Sequence, residues 1–221
     1  MSMNMTLDLM FLSDWHISQG IGDGFRADAV LVRDADGFPY VPGRALKGAM
    51  REGASRLGLC RDDLQRAEDY FFGTRFDTLE SNKQGRIRLS QAKLPQSFKV
   101  ALDYVESAQD IRLADKETFI NDLTILRSQT ALTPEGLTKK GSLRTTECGI
   151  PGIPFEASLT IDAQGIPESW LAAYMASVCR AVRSIGGNRS RGFGRCTLSI
   201  RSIPFTGLPK TPFSQAKGEN A

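Results

Sequence analysis

Residues Thr6 to Phe11 alternate, with Leu7, Leu9 and Phe11 on one side and Asp8 on the other, which predicts a strand with one buried face. Three glycines and Asp23 then erase any period between Gln19 and Arg26, predicting a flexible loop. Val30–Arg33 and Phe38–Val41 flank Asp34, Ala35, Asp36 and Gly37, the pattern of a short hairpin turning on glycine. Pro42-Gly43 stops it, and over Arg44–Leu57 the apolar Leu46, Met50 and Leu57 recur at helical spacing. A second helical stretch, Arg61–Phe72, ends at Gly73, and Arg86–Leu94 alternates as a strand again. Neither period holds from Gln96 to Pro154, where turn residues and mixed charge predict a partly structured insertion with a projecting hairpin or loop. Alternation returns in Phe155–Ile161. Pro167 then opens a helix with one apolar stripe of Trp170, Leu171, Tyr174, Met175, Val178 and Val182. Cys196, Leu198 and Ile200 mark a closing strand, and Pro204–Ala221 reads as a frayed tail.

The reduced order of strand, helix, strand, insertion, strand, helix, strand predicts an α+β fold. It is that of a ferredoxin-like or RRM-like sheet with two main helices on one face. A length of 221 residues suits a single core, here spanning 1–203 with the insertion at about 96–154. Apolar content of 41% and charged content of 24% exclude a disordered or fibrous chain. No apolar run approaches a membrane span and Met1–Thr6 lacks the basic start of a signal peptide, so a cytoplasmic protein with no membrane partner is expected. Cys60, Cys148, Cys179 and Cys196 lie far apart with no C-x-x-C pair, which points to free thiols rather than zinc or disulfides.

A net charge of +3 does not by itself announce a nucleic-acid binder, but the charge is unevenly spread. Arg189, Arg191, Arg195 and Arg201 share the stretch from Ser184 to Arg201 with no acid. The segment Ser184–Arg195 sets four glycines among three of these arginines, between a helix and a strand. Glycine lets backbone N–H groups come close to a phosphate, and arginine offers charge and a planar donor fork to the same oxygens. Phe193, between two glycines, can stack on a base or plug the sheet edge. The segment lacks the Gly-Lys-Ser/Thr of a Walker loop and follows a helix, unlike a dinucleotide fingerprint, so nucleotide-cofactor binding is disfavoured. In the second basic stretch, Arg44, Lys47 and Arg51 at i, i+3 and i+7 lie along one side of the first helix, where a phosphate chain would also meet unpaired backbone N–H groups.

Pro42-Gly43, Leu46-Lys47-Gly48 and Arg51, together with Gly186-Gly187 and Arg191-Gly192-Phe193-Gly194, resemble the paired signature of the RAMP superfamily. Trp15-His16-Ile17, Asp28, Val30–Arg33, Pro39–Gly43, Phe72-Gly73, Gly85–Lys93, Arg127-Ser128, Glu147 and Phe155 follow in the order of the backbone subunit of type III CRISPR effector complexes. The resemblance covers roughly residues 5–203. It implies a modified RRM-like fold, stacking of further copies of the chain and other type III subunits along a guide RNA, and a thumb-like hairpin near Ala131–Gly149 that wedges into the guide–target duplex. It also implies RNA contacts from His16, Arg44, Lys47, Arg51, Gly186, Gly187, Asn188, Arg189, Arg191, Phe193 and Arg195.

In the RNA-cutting relatives an aspartate of the first flexible loop supports divalent-metal-dependent cleavage of target RNA at regular intervals, and Asp28 is the matching position. A carboxylate there can hold a metal ion, Mg²⁺ by expectation, at a phosphate or orient the attacking 2′-hydroxyl. The match has departures. Asp28 lies between Ala27 and Ala29, where the closest cutters carry a larger apolar residue before it and a small residue and proline after it. Arg44 and Ala45 replace the two serines common after Pro-Gly. Asp14, Asp23, Asp34 and Asp36 are weaker carboxylate candidates. Beside the target-cutting subunit stand a non-catalytic scaffold of the same family, a precursor-RNA processing nuclease using His16 as base, and a generic RRM-like binder. The last is disfavoured by the missing aromatic-rich strands.

Overall fold

The structure, a computed structural model, describes residues 2–18, 20, 27–73, 84–107, 116–207 and 209. The glycine loop expected at 19–26, Gly20 excepted, lies outside them together with Asp23, as does the tail beyond 209. Strand β1 (Ser2–Phe11) is central in a four-stranded antiparallel sheet of order β2-β5-β1-β6, with β2 at Ile87–Leu89, β5 at Pro154–Asp162 and β6 at Cys196–Ile200. The register sets Leu7 opposite Ala157 and Ile200, and Leu9 opposite Phe155 and Leu198, so the apolar members of three strands share one face. Helices α1 (Gly43–Gly58) and α5 (Glu168–Ala181) pack together and close that face, with α2 (Asp62–Phe72) against α1. Leu46, Met50, Leu64, Phe71, Tyr174 and Met175 are fully buried there, each such side chain contributing about 1.5–3 kcal/mol by leaving water. The α+β class is thus built as expected, with α1 and α2 following β1 and α5 preceding β6.

The opposite face of the sheet is open and polar. Its outward positions, among them Asn4, Asp8, Glu156, Thr160 and Ser199, include no aromatic residue, and Arg201 is paired with both Asp8 and Glu156. The stacking platform on which RRM sheets hold bases is therefore missing from these strands.

The insertion is more ordered than its sequence suggested. It holds α3 (Gln96–Ser107), α4 (Lys116–Asp122) and a two-stranded antiparallel hairpin of β3 (Thr124–Gln129) and β4 (Arg144–Gly149), joined by residues 130–143. Phe98 packs on Phe119, and Lys99 reaches Asp34 and Asp36, tying α3 to the turn at 34–37. The expected hairpin at 30–41 is present: Arg33 bridges Pro39, Asp34 N–H donates to the Phe38 carbonyl at 2.9 Å and Tyr40 N–H to the Val32 carbonyl at 3.3 Å. Its turn is fixed by the Asp34 carboxylate accepting the Asp36 and Phe38 N–H groups. Its flanks also pair outward, Leu31 with Ser18 and Val41 with Ala92.

Candidate RNA interface and cleavage site

His16, Asp28, Glu147 and the loop 184–195 meet along the hairpin. The free edge of β4 is taken by two passing segments. Trp15 and Gly149 exchange backbone hydrogen bonds of 3.1 and 2.8 Å, and Glu147 N–H donates to the Ala29 carbonyl at 2.9 Å. Beneath this junction Glu147 is buried, its Oε1 accepting from Arg33 Nη2 at 2.6 Å and its Oε2 from Leu31 N–H at 3.0 Å. Burial pushes the Glu147 carboxyl up, but the Arg33 guanidinium, the Leu31 N–H and the Thr124 hydroxyl outweigh it and hold the group below its ordinary value. Glu147 matched the family only as a position in order. Its strand carries no alternation to mark it as an interior group.

His16 is buried between the hairpin and the glycine-arginine loop of 184–195. Its ring Nδ1–H donates to the Glu147 carbonyl at 2.7 Å, and its own carbonyl accepts Gly187 N–H at 2.8 Å. Gly186 has φ +102° and sits where a side chain would run into that same carbonyl. Gly194, at φ +70°, would likewise run into the Ile185 carbonyl, while its N–H donates to Asp14 at 2.7 Å. Only glycine meets both demands, left-handed backbone and no room for a Cβ. The loop is therefore a rigid fitting. Asn188 (φ 54°) opens a single 3-10 turn, Arg189–Arg191, and the arginines of the segment stand on the surface. Arg189 Nη1 donates to Glu52 at 2.6 Å, beside a cleft of 610 Å³ that Asn188, Ser190 and Arg191 also line. Arg191 Nη1 crosses to the hairpin and donates to Gln129 Oε1 at 2.6 Å. Phe193 is half-buried and Arg195 exposed, the backbone of Arg195 donating to Ser13 Oγ at 3.0 Å.

The other basic stretch is arranged differently. Arg44 is exposed at the mouth of a cleft of 620 Å³ lined also by Ser18, Tyr40, Gly43 and Gln91. Lys47 and Arg51 are turned onto the protein. Lys47 Nζ donates to the Ile87 carbonyl at 3.1 Å, and burial followed by the charge of Arg51 pushes its ammonium down from the ordinary value. Arg51 donates to the Gly73 carbonyl at 2.7 Å, at the end of α2, and lies 3.4 Å from the buried Glu68 carboxylate.

Asp28 is half-exposed beside the start of β4, at the end of the ladder next to the 130–143 connection. Its backbone N–H donates to Thr145 O at 2.8 Å, its Oδ2 accepts Thr145 N–H at 2.7 Å, and its Oδ1 lies 3.8 Å from Arg144 Nη1. Among the described residues no three of His, Cys, Asp and Glu stand together as a metal cage. The one carboxylate, half-exposed, still fits the way Mg²⁺ is held at phosphates, by one or two carboxylates with the rest of its shell from phosphate and water. Of the weaker candidates, Asp14 is bound to Arg127 at 2.6 Å, and Asp34 and Asp36 serve the turn.

The chain belongs to the RAMP superfamily, whose family model matches residues 8–197. No curated protein sequence matches it. Among solved structures it is similar to a chain of the type III-B Cmr-beta complex bound to cognate target RNA, at a TM-score of 0.67 and 14% identity over 90% of this chain and 97% of that one. A chain of the same complex in the apo state gives 0.64 and 14% over 90% and 98%. Among the described residues no helix is long and apolar enough to cross a membrane.

Proposed function

We propose that this protein is a guide-RNA-binding backbone subunit of a type III CRISPR effector complex, assembled with further copies of itself and other subunits, and that it cuts the paired target RNA. One observation carries the reading. The hairpin joins the arginine-glycine loop, through Arg191 and Gln129, to Asp28, held on Thr145, so an RNA strand anchored by the loop passes the carboxylate. Arg44, Arg189, Arg191 and Arg195 supply phosphate contacts, with Asn188 and Phe193 beside them. Lys47, Arg51, His16, Gly186 and Gly187 set the shape and charge behind that path. Specificity comes from base pairing, the protein reading only backbone and shape.

In the cleavage step the 2′-oxygen of the target forms a bond to the adjacent phosphorus as the bond to the 5′-oxygen breaks. The 2′-hydroxyl loses its proton and the leaving 5′-oxygen gains one. Asp28 orients the 2′-hydroxyl. A divalent cation bound at Asp28 Oδ1 would supply positive charge to the phosphate.

The second reading is a non-catalytic scaffold. It is favoured by the Thr145 hydrogen bond, which gives Asp28 a structural job in fixing the hairpin. The precursor-processing reading needs an accessible base, and the burial of His16 weighs against it. The test is cleavage of a guide-complementary RNA by the reconstituted complex with Mg²⁺, wild type against Asp28→Ala, with assembly checked for both. Regularly spaced products that vanish in the mutant are expected. A wild type that does not cut, or a mutant that cuts equally, makes the chain a scaffold.

A further inference from the structure

Resting on the reading of Asp28 as the cleavage carboxylate, we infer that Arg144 is a further catalytic residue, the group that grips the scissile phosphate. Arg144 is the first residue of β4 and pairs directly with Gln129 of β3. Directly opposed residues of an antiparallel pair project from the same face, with Cβ atoms about 5 Å apart. Gln129 is the residue that receives Arg191 of the glycine loop. Arg144 therefore stands on the face toward which the loop's arginine reaches. The next residue, Thr145, holds Asp28, which brings Arg144 Nη1 to 3.8 Å from Asp28 Oδ1. The acid and the cation lie side by side at the end of the line running from the loop across the hairpin.

Availability sets Arg144 apart from its neighbours. Arg33, Arg127 and Arg191 each hold a partner at 2.6 Å, on Glu147, Asp14 and Gln129. The Arg144 side chain is 71% exposed, and its distance from Asp28 is too long for a hydrogen bond. Its donor fork is thus open, while Asp28 stays anchored by Thr145 whether or not Arg144 moves. A planar guanidinium binds two phosphate oxygens at once. As the 2′-oxygen attacks and the 5′-oxygen leaves, charge accumulates on the non-bridging oxygens, and a donor fixed there lowers the barrier. An ordinary solvated arginine or a simple partner of Asp28 would instead leave the rate nearly unchanged when removed.

The experiment compares wild type, Arg144→Ala, Arg144→Lys and Asp28→Ala in the reconstituted complex. It measures single-turnover cleavage at saturating target together with target affinity. Arg144→Ala is expected to slow cleavage about 100-fold, the usual cost of one transition-state donor, with target affinity within a few-fold. Arg144→Lys, which keeps the charge but not the fork, should recover part of the rate. Arg144→Ala cutting at the wild-type rate overturns the inference, as does a rate loss matched by an equal loss of target binding. Where Asp28→Ala abolishes cleavage in the same series, the proposed function survives that failure. Asp28→Ala cutting normally removes the site and Arg144's role with it.

Discussion

Two basic regions of this molecule use their charge in opposite ways. On α1, Lys47 donates to a carbonyl of β2, and Arg51 caps α2 and neutralises the buried Glu68, so two of three cations serve the fold. In the loop 184–195 the fold is served by the backbone instead. Gly186, Gly187 and Gly194 meet the carbonyls and N–H groups of His16, Ile185 and Asp14, leaving the arginines on the surface with exposed partners such as Glu52 and Gln129. Surface pairs of that kind are worth at most about 1 kcal/mol, so a phosphate can displace them. The difference teaches that count and spacing of basic residues do not measure the charge available to RNA. What matters is which atoms hold the element in place.

The contrast breaks most visibly at Arg51. Arg51→Ala removes a guanidinium from the buried Glu68 carboxylate and from the Gly73 carbonyl and should cost about 3 kcal/mol in stability, measured by urea unfolding. A variant as stable as wild type but poor in RNA binding would place Arg51 with the loop arginines instead. A smaller effect, about 2 kcal/mol, is expected for Glu147→Gln at neutral pH, because Glu147 accepts charge-assisted bonds in the junction that carries Asp28. The folded-state pKa of Glu147 lies below its unfolded value. Its contribution is therefore full above about pH 4.3, the ordinary glutamate value, and fades as pH falls through the folded pKa. Melting temperature against pH should drop more steeply on the acid side for wild type than for Glu147→Gln, and parallel curves would deny Glu147 that role.

Much of the frame was legible in the sequence, for a physical reason. Strands β1, β5 and β6 each bury one face, and α5 buries a broad stripe, so periods of 2.0 and 3.6 are imposed by the core. Strand β3 has no such signal, because most of its residues, Ile125 and Leu126 among them, remain exposed on both faces. The hairpin around the 34–37 turn was readable, but the further partners of its flanks, Ser18 and Ala92, are chosen by the tertiary fold. At the site, the loop 184–195 stood out as a motif, and Asp28 only as a position matching the family. The engagement of Lys47 and Arg51, the burial of Glu147 and the openness of Arg144 depend on contacts between distant segments, which no local pattern encodes.

The central claim is that the glycine loop presents its arginines to the RNA backbone, and the most direct measurement is the salt dependence of RNA binding. On single-stranded RNA, removing one cation that neutralises a phosphate lowers the slope of log K against log salt by about 0.7. For the full chain carrying Arg189→Ala and Arg191→Ala the slope should fall by about 1.4, with weaker binding and unchanged stability. An unchanged slope in a folded double mutant would contradict the account.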